Sequence, residues 1–190
     1  MKVQVVYCSH KGNTRRVAER IGEALRAHGK VEVVDVADAP VPPPDDLTLL
    51  VVGGPTEGHG MTPEIREYLA RLDLHWSMGR ATAAFDTRLD WPRLLSGSAA
   101  DQIANRLSAL GTKVMGEPGS FLVSRVPELE PGELERAAAW AEHLAQTVTP
   151  VRVSRRTRAG RATANEPMRP APARWNRPAP GPCQIPTRVS

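Results

Sequence analysis

Apolar positions along this chain follow two rhythms that alternate. Val3 to Tyr7 is almost unbroken apolar, β-branched sequence, the pattern of a strand buried on both faces of a parallel sheet. After a short polar loop, Val17, Ala18, Ile21, Ala24 and Leu25 recur at helical spacing, which predicts a helix from about Asn13 to His28 ended by Gly29. A second strand is predicted at Val31 to Val36. Asp38-Ala39-Pro40-Val41-Pro42-Pro43-Pro44 follows, and so many prolines leave only a short extended loop for the second crossover. A third strand, Leu47 to Val52, runs into Gly53-Gly54-Pro55-Thr56-Glu57-Gly58-His59-Gly60-Met61, and a helix then opens with Thr62 as N-cap and Pro63 in its first turn.

Ala81 to Phe85 reads as a fourth strand ending at Asp86-Thr87-Arg88. The helix Ala99 to Leu110 stops at Gly111. A fifth strand begins at Thr112 to Met115, is broken by Gly116-Glu117-Pro118-Gly119, and resumes at Ser120 to Val123. The last helix, about Pro131 to Thr147, turns Leu134, Ala137, Ala138, Ala141 and Leu144 inward. Five strands alternating with helices predict an α/β fold with a parallel, doubly wound sheet. Ligands of such sheets sit beyond the carboxyl ends of the strands, at the point where strand order reverses. In the order 2-1-3-4-5, strands one and three flank that point.

The loop after the first strand, Ser9-His10-Lys11-Gly12-Asn13-Thr14, joins hydroxyl, amide and glycine residues at a helix N-terminus. Backbone N–H groups without intrahelical acceptors, a favourable helix dipole and hydroxyl donors make such a loop a phosphate cradle. Cys8 lies beside it and reads as a buried structural thiol. The histidines at 10, 28, 59, 75 and 143 are scattered, and no spacing among them suggests zinc.

Composition divides the chain. From Thr147 to Ser190 there are nine Arg and one Glu, net +8, which leaves 16 basic and 20 acidic side chains, net −4, for residues 1–146. The same tail holds eight of the 18 prolines and few large apolar residues, so it is expected to be disordered, behind a globular domain over 1–146. Arg155-Arg156, Arg158 and Arg161 could contact nucleic acid through phosphates. Yet Arg outnumbers Lys by 21 to 4, with abundant Ala and Pro, as in an extension read from GC-rich DNA, and the tail is read as that. No apolar run reaches membrane-spanning length and the N-terminus enters a strand at once, so no membrane contact and a cytoplasmic location are expected.

The run from Ser9 to Thr14 resembles the flavodoxin phosphate signature, a Thr/Ser-x-Thr-Gly-x-Thr pattern, with Lys11 where that pattern has its middle hydroxyl. With Gly53-Gly54-Pro55-Thr56 and Phe85-Asp86-Thr87-Arg88 downstream, residues 1–146 look like a bacterial flavodoxin-like subfamily. The resemblance implies FMN as cofactor. It places Ser9, His10, Lys11, Gly12, Asn13 and Thr14 on the 5′-phosphate, and Pro55, Thr56, Glu57, Gly58 and His59 against the flavin. Phe85, Asp86, Thr87 and Arg88 would form a second flavin loop. Flavodoxins usually hold the ring between aromatic side chains. Here His59 or Trp91 would take that place. The implied function is electron transfer between a reductase and an acceptor protein, with no side chain acting as acid or base. An FMN-dependent NAD(P)H or quinone reductase, and a binding module of the same fold without flavin, are the alternatives.

Overall fold

A computed structural model describes residues 1–91, 97–124 and 128–148. The expected disorder of the basic tail therefore concerns residues that lie, from 149 onward, outside the described part of the chain. The strands are β1 (Lys2–Tyr7), β2 (Lys30–Asp35), β3 (Leu49–Pro55), β4 (Ala81–Leu89), β5 (Lys113–Val114) and β6 (Gly119–Val123). The helices are α1 (Asn13–Leu25), α2 (Pro63–Arg71), a short α3 (Leu74–Ser77), α4 (Ala99–Ala109) and α5 (Glu133–Val148). All strand pairings within the sheet are parallel and the order is β2-β1-β3-β4-β5, with β6 also on β4. The split fifth strand expected from Gly116 to Gly119 is thus found as β5 and β6.

Alternate residues of each central strand feed opposite faces. Val3, Val5, Tyr7, Leu49, Val51, Ala83 and Phe85 pack with Val17, Ile21 and Leu25 of α1 and Ala137, Ala141 and Leu144 of α5. Val6, Leu50, Val52 and Ala84 pack with Ile65 and Leu69 of α2 and Ile103 and Leu107 of α4. Helices cover both faces, so the sheet is doubly wound and its central strands β1 and β3 are buried on both sides, while β2 at the edge is partly exposed. The crossover between β2 and β3 carries no helix, as its four prolines dictate.

Two strands run further than their sequence pattern suggests. β3 continues through Gly53 and Gly54 to Pro55, and β4 continues through Asp86, Thr87 and Arg88 to Leu89. The cause is pairing on both sides. Gly54 and Pro55 sit opposite Asp86 and Thr87, while β6 runs beside Phe85 to Leu89. The segment expected to leave the sheet as a loop is therefore its rigid extension. Helix α3, opened by Asp73 accepting from the Trp76 N–H at 2.7 Å, has too few residues to show a period in the sequence.

Three rings brace this extension from below. Phe85, Phe121 and Trp140 lie with centroids 6.3–6.4 Å apart, and the Trp140 indole donates to the Glu117 carbonyl at 3.0 Å, in the break between β5 and β6. Gly53 lies directly against the Phe85 ring, with no room for a Cβ. Gly53→Ala is expected to cost about 1–3 kcal/mol of stability by overpacking. Urea unfolding measures this, and an unchanged midpoint would contradict the packing.

Candidate functional site

The carboxyl ends of β1, β3, β4 and β6 surround a cleft of about 310 Å³. Its lining falls into four groups: His10, Lys11, Asn13 and Thr14 after β1; Pro55, Thr56 and Glu57 at the end of β3 and just past it; Thr87, Arg88, Leu89 and Trp91 at the end of β4 and just past it; and Val123 and Ser124 at the end of β6 and just past it. Such a volume lies at the lower end of ordinary small-molecule sites.

The first group is set by the turn from β1 into α1. Cys8 N–H still bonds the Gly53 carbonyl at 3.0 Å, so the chain leaves the sheet only at Ser9. Gly12 then takes a left-handed φ of 86°, and its carbonyl accepts the Arg16 N–H at 3.1 Å to start the helix. Ser9 Oγ accepts from the Arg15 N–H at 3.2 Å, capping the first turn. A Cβ on Gly12 would meet nothing within 4 Å, so the loop is open to a ligand on that side.

Glu57-Gly58-His59-Gly60 forms a tight hairpin, with Glu57 and Gly60 exchanging backbone bonds at 3.0 and 3.1 Å. Both central residues have positive φ, 54° at Gly58 and 71° at His59, as a type I′ turn requires. The left-handed histidine is held from α4, where Gln102 donates to the His59 carbonyl at 3.2 Å and accepts from the Met61 N–H at 3.1 Å.

Beneath the cleft lies a buried polar network. Asp86 is wholly buried, and its carboxylate accepts from the Thr56 hydroxyl (3.0 Å), the Ser98 hydroxyl (3.0 Å), the Ala100 N–H (3.0 Å) and the Ser120 hydroxyl (2.7 Å). The charge stands at the N-terminus of α4, where the helix dipole favours it. Arg88 Nε reaches Ser120 Oγ at 2.8 Å, and its Nη1 donates to the carbonyls of Leu89 and Trp91 at 3.1 and 2.7 Å. Thr14 and Thr87 share a buried hydroxyl bond of 2.7 Å, which joins the first loop to β4.

The structure therefore gathers most, though not all, of the expected site residues. His10, Lys11, Asn13, Thr14, Pro55, Thr56, Glu57, Thr87 and Arg88 line the cleft. Ser9 and Gly12 belong to the same turn without being among the lining residues. Gly58 and His59 form the hairpin tip and are not among the lining residues. Phe85 is fully buried in the ring cluster, and Asp86 turns into the network below. The strand that carries Phe85 and Asp86 explains both, since its residues alternate between faces and only its end reaches the cleft. Leu89, Val123 and Ser124 were not expected. Their signal was the resumption of the fifth strand at Ser120, which aims its end at the same place as β4.

At one edge of the cleft His10 Nδ1 lies 3.0 and 3.2 Å from the Glu57 carboxylate oxygens, and this partner raises the imidazole above its ordinary pKa. Burial holds the Cys8 thiol above its usual value. The carboxyl of Glu64 is lowered, first by its own backbone N–H in the first turn of α2 and then by the Thr62 hydroxyl.

Asp86→Ala leaves several buried donors unpaired, at about 1–3 kcal/mol each, so a loss of at least about 3 kcal/mol is expected in urea unfolding; a change near zero would contradict the network. Because the folded His10 value is raised, its pair with Glu57 stabilises the fold below the unfolded value of about 6.5 and ceases to as pH rises through the folded value. In an NMR pH titration, Glu57→Gln should move the His10 midpoint down, and an unmoved midpoint would contradict the pairing.

Known proteins share this arrangement of strands. The family model described as flavodoxin matches residues 5–143. A flavodoxin from the domain Archaea superposes with a TM-score of 0.64 at 22% identity, over 78% of this chain and 99% of that one. Oxidised flavodoxin 1 from Bacillus cereus gives 0.62 at 21% identity, over 77% and 98%. Rubredoxin oxygen:oxidoreductase from Desulfovibrio gigas gives 0.62 at 18% identity, over 77% of this chain but only 36% of its own length. No curated protein sequence matches the chain. With strand order, crossovers and a family match over most of its length in agreement, the chain belongs to the flavodoxin family.

Proposed function

We propose that this protein binds FMN in the cleft at the carboxyl ends of β1, β3, β4 and β6, and carries electrons between a reductase and an acceptor protein. The observation that carries the reading is the meeting of an open helix N-terminus, the Gly12 turn before α1, with a cleft of about 310 Å³ built from three further strand ends. The donor set suits the cofactor. Backbone N–H groups of the turn, with Ser9, Asn13 and Thr14 close by, suit a phosphate, and Lys11 adds a positive charge. Pro55, Leu89, Val123 and the Trp91 ring offer the apolar surface that a flavin ring needs, and Thr56 and Ser124 lie among them as polar groups.

When bound, FMN would supply the redox chemistry, as cofactors of this kind do. The chain's own part is to bind, orient and shield. The Asp86 network holds the ends of β3, β4 and β6 at fixed spacing, so the cleft is shaped before the ligand arrives. The Glu57–Gly60 hairpin sets backbone groups at the rim, where they can tune the bound ring.

The test is a titration of the purified full-length chain with FMN, read by quenching of flavin fluorescence, beside Gly12→Val. A side chain at φ 86° is strained and intrudes on the open side of the turn. The wild type should quench FMN to saturation at one equivalent. Gly12→Val should lose that binding while keeping a cooperative melt. Unquenched FMN with the wild type would instead support a fold without flavin, and full binding by the variant would remove the phosphate site from Gly12.

One observation favours a second reading, an FMN-dependent NAD(P)H or quinone reductase. Among the described residues Trp91 is the one Phe, Tyr or Trp ring lining the cleft, and it is 46% exposed, which leaves one side of a bound ring uncovered. Steady-state NADPH oxidation with a quinone, dependent on FMN, would favour this reading, and its absence at high protein concentration would leave electron transfer alone. Under either reading, Trp91→Ala should weaken FMN binding by about 0.5–1.5 kcal/mol, an aromatic contact's worth. An unchanged affinity would place the ring elsewhere.

A further inference from the structure

Beside the cleft, the fold assembles a group of metal-ligating side chains, of which one, His10, also lines the cleft. Cys8, at the end of β1, and His10, two residues on, meet Glu64 from the first turn of α2. Cys8 Sγ lies 3.6 Å from His10 Nε2 and 3.9 Å from Glu64 Oε2, and His10 Nε2 lies 3.6 Å from Glu64 Oε1. One sulfur, one imidazole nitrogen and one carboxylate thus form a triangle; the two contacts to Glu64 run to its two different oxygens, and with one oxygen as the ligand atom the three donors lie within 4.8 Å of one another.

The size of that triangle is informative. In a tetrahedral zinc site, metal–ligand lengths of about 2.3 Å to sulfur and about 2.0–2.1 Å to nitrogen or oxygen put neighbouring ligand atoms about 3.4–3.6 Å apart. The donors stand wider than this, within 4.8 Å of one another, and rotation of the half-exposed Glu64 side chain can close the gap. Glu57 completes the arrangement. Its carboxylate lies 3.0 and 3.2 Å from His10 Nδ1 and can accept a hydrogen bond from an Nδ1–H, the neutral tautomer in which the Nε2 lone pair faces Cys8 and Glu64. A carboxylate behind a ligating histidine is the usual outer partner in zinc sites.

We propose that Cys8 Sγ, His10 Nε2 and Glu64 form a binding site for one divalent zinc-class cation, with Glu57 as the positioning residue of His10. Three protein ligands leave a fourth position, and the half-exposed side chains of His10 and Glu64 turn it toward solvent. A thiolate, an imidazole and a carboxylate together suit Zn²⁺ better than Mg²⁺ or Ca²⁺, which take oxygen ligands. On binding, the Cys8 S–H bond gives way to an S–Zn bond and one proton leaves to solvent; nothing is oxidised or reduced. Because His10 also lines the cleft, the ion would tie the turn after β1 to the start of α2 at the cleft wall. The site needs no flavin, so its failure and that of the FMN reading are separate results.

The experiment titrates the full-length chain with Zn²⁺ against a chromophoric chelator, and with Co²⁺ as a spectroscopic probe. One equivalent of Zn²⁺ should bind. Co²⁺ should give the intense d–d bands of a four-coordinate ion, to the red of flavin absorption, and a thiolate charge-transfer band in the near ultraviolet. Cys183→Ser should change neither, since the proposed ligand set does not include that thiol. Cys8→Ala should remove the charge-transfer band, and Glu64→Gln should weaken Zn²⁺ binding at least about tenfold. Loss of the outer partner in Glu57→Gln should weaken it about 10- to 100-fold. Should Cys8→Ala fail to fold, Glu64→Gln, altered at a half-exposed side chain, decides the matter. Less than one equivalent bound, a cobalt spectrum without the thiolate band, or undiminished affinity in Cys8→Ala or Glu64→Gln would overturn the proposal.

Discussion

A buried carboxylate organises the functional end of this molecule. Asp86 is removed from water entirely, and an isolated ion there would be strongly disfavoured. It is tolerated because hydroxyls from Thr56, Ser98 and Ser120 and the Ala100 N–H converge on it at the N-terminus of α4. Those partners come from the segment after β3, from the cap of α4 and from β6. One charge therefore fixes how three segments end, and the cleft is what their ends enclose. The Thr14–Thr87 bond extends the same frame to the start of α1.

This arrangement separates support from contact. Below the rim, Phe85, Phe121 and Trp140 fill the sheet face, and Gly53 admits the Phe85 ring where any side chain would exclude it. At the rim, short polar side chains and backbone turns face the opening. A ligand meeting such a site need not order it first, which preserves affinity that a floppy loop would lose. The exception is the outer side, where Trp91 stands 46% exposed with little cover from other rings.

Much of this was legible in the sequence, for identifiable reasons. Long apolar runs such as Leu49 to Val52 mark strands buried on both faces, and the prolines at 40, 42, 43 and 44 forbid a helix in the second crossover. Gly12 marked its turn because a left-handed residue at a helix start favours glycine. The fate of Asp86 was not legible. Its neighbours in sequence look like loop, and only pairing with β3 and β6 keeps it in the sheet with its side chain turned inward. Likewise Cys8, His10, Glu57 and Glu64 are too widely spread along the chain to suggest a cluster, and the five histidines share no motif. Parallel strands with a crossover between them bring Glu57 and Glu64 to the end of β1.

The central claim is that the turn from Ser9 to Thr14 receives the phosphate of a flavin whose ring lies toward Trp91. Backbone amide NMR of the full-length chain, titrated with FMN and separately with riboflavin, tests it most directly. The account predicts large shifts at the amides of His10 to Thr14 with FMN, much smaller ones there with riboflavin, and shifts at Trp91 and Ser124 in any complex that forms. Shifts at His10 to Thr14 that are equal for the two ligands, or absent with FMN, would contradict it.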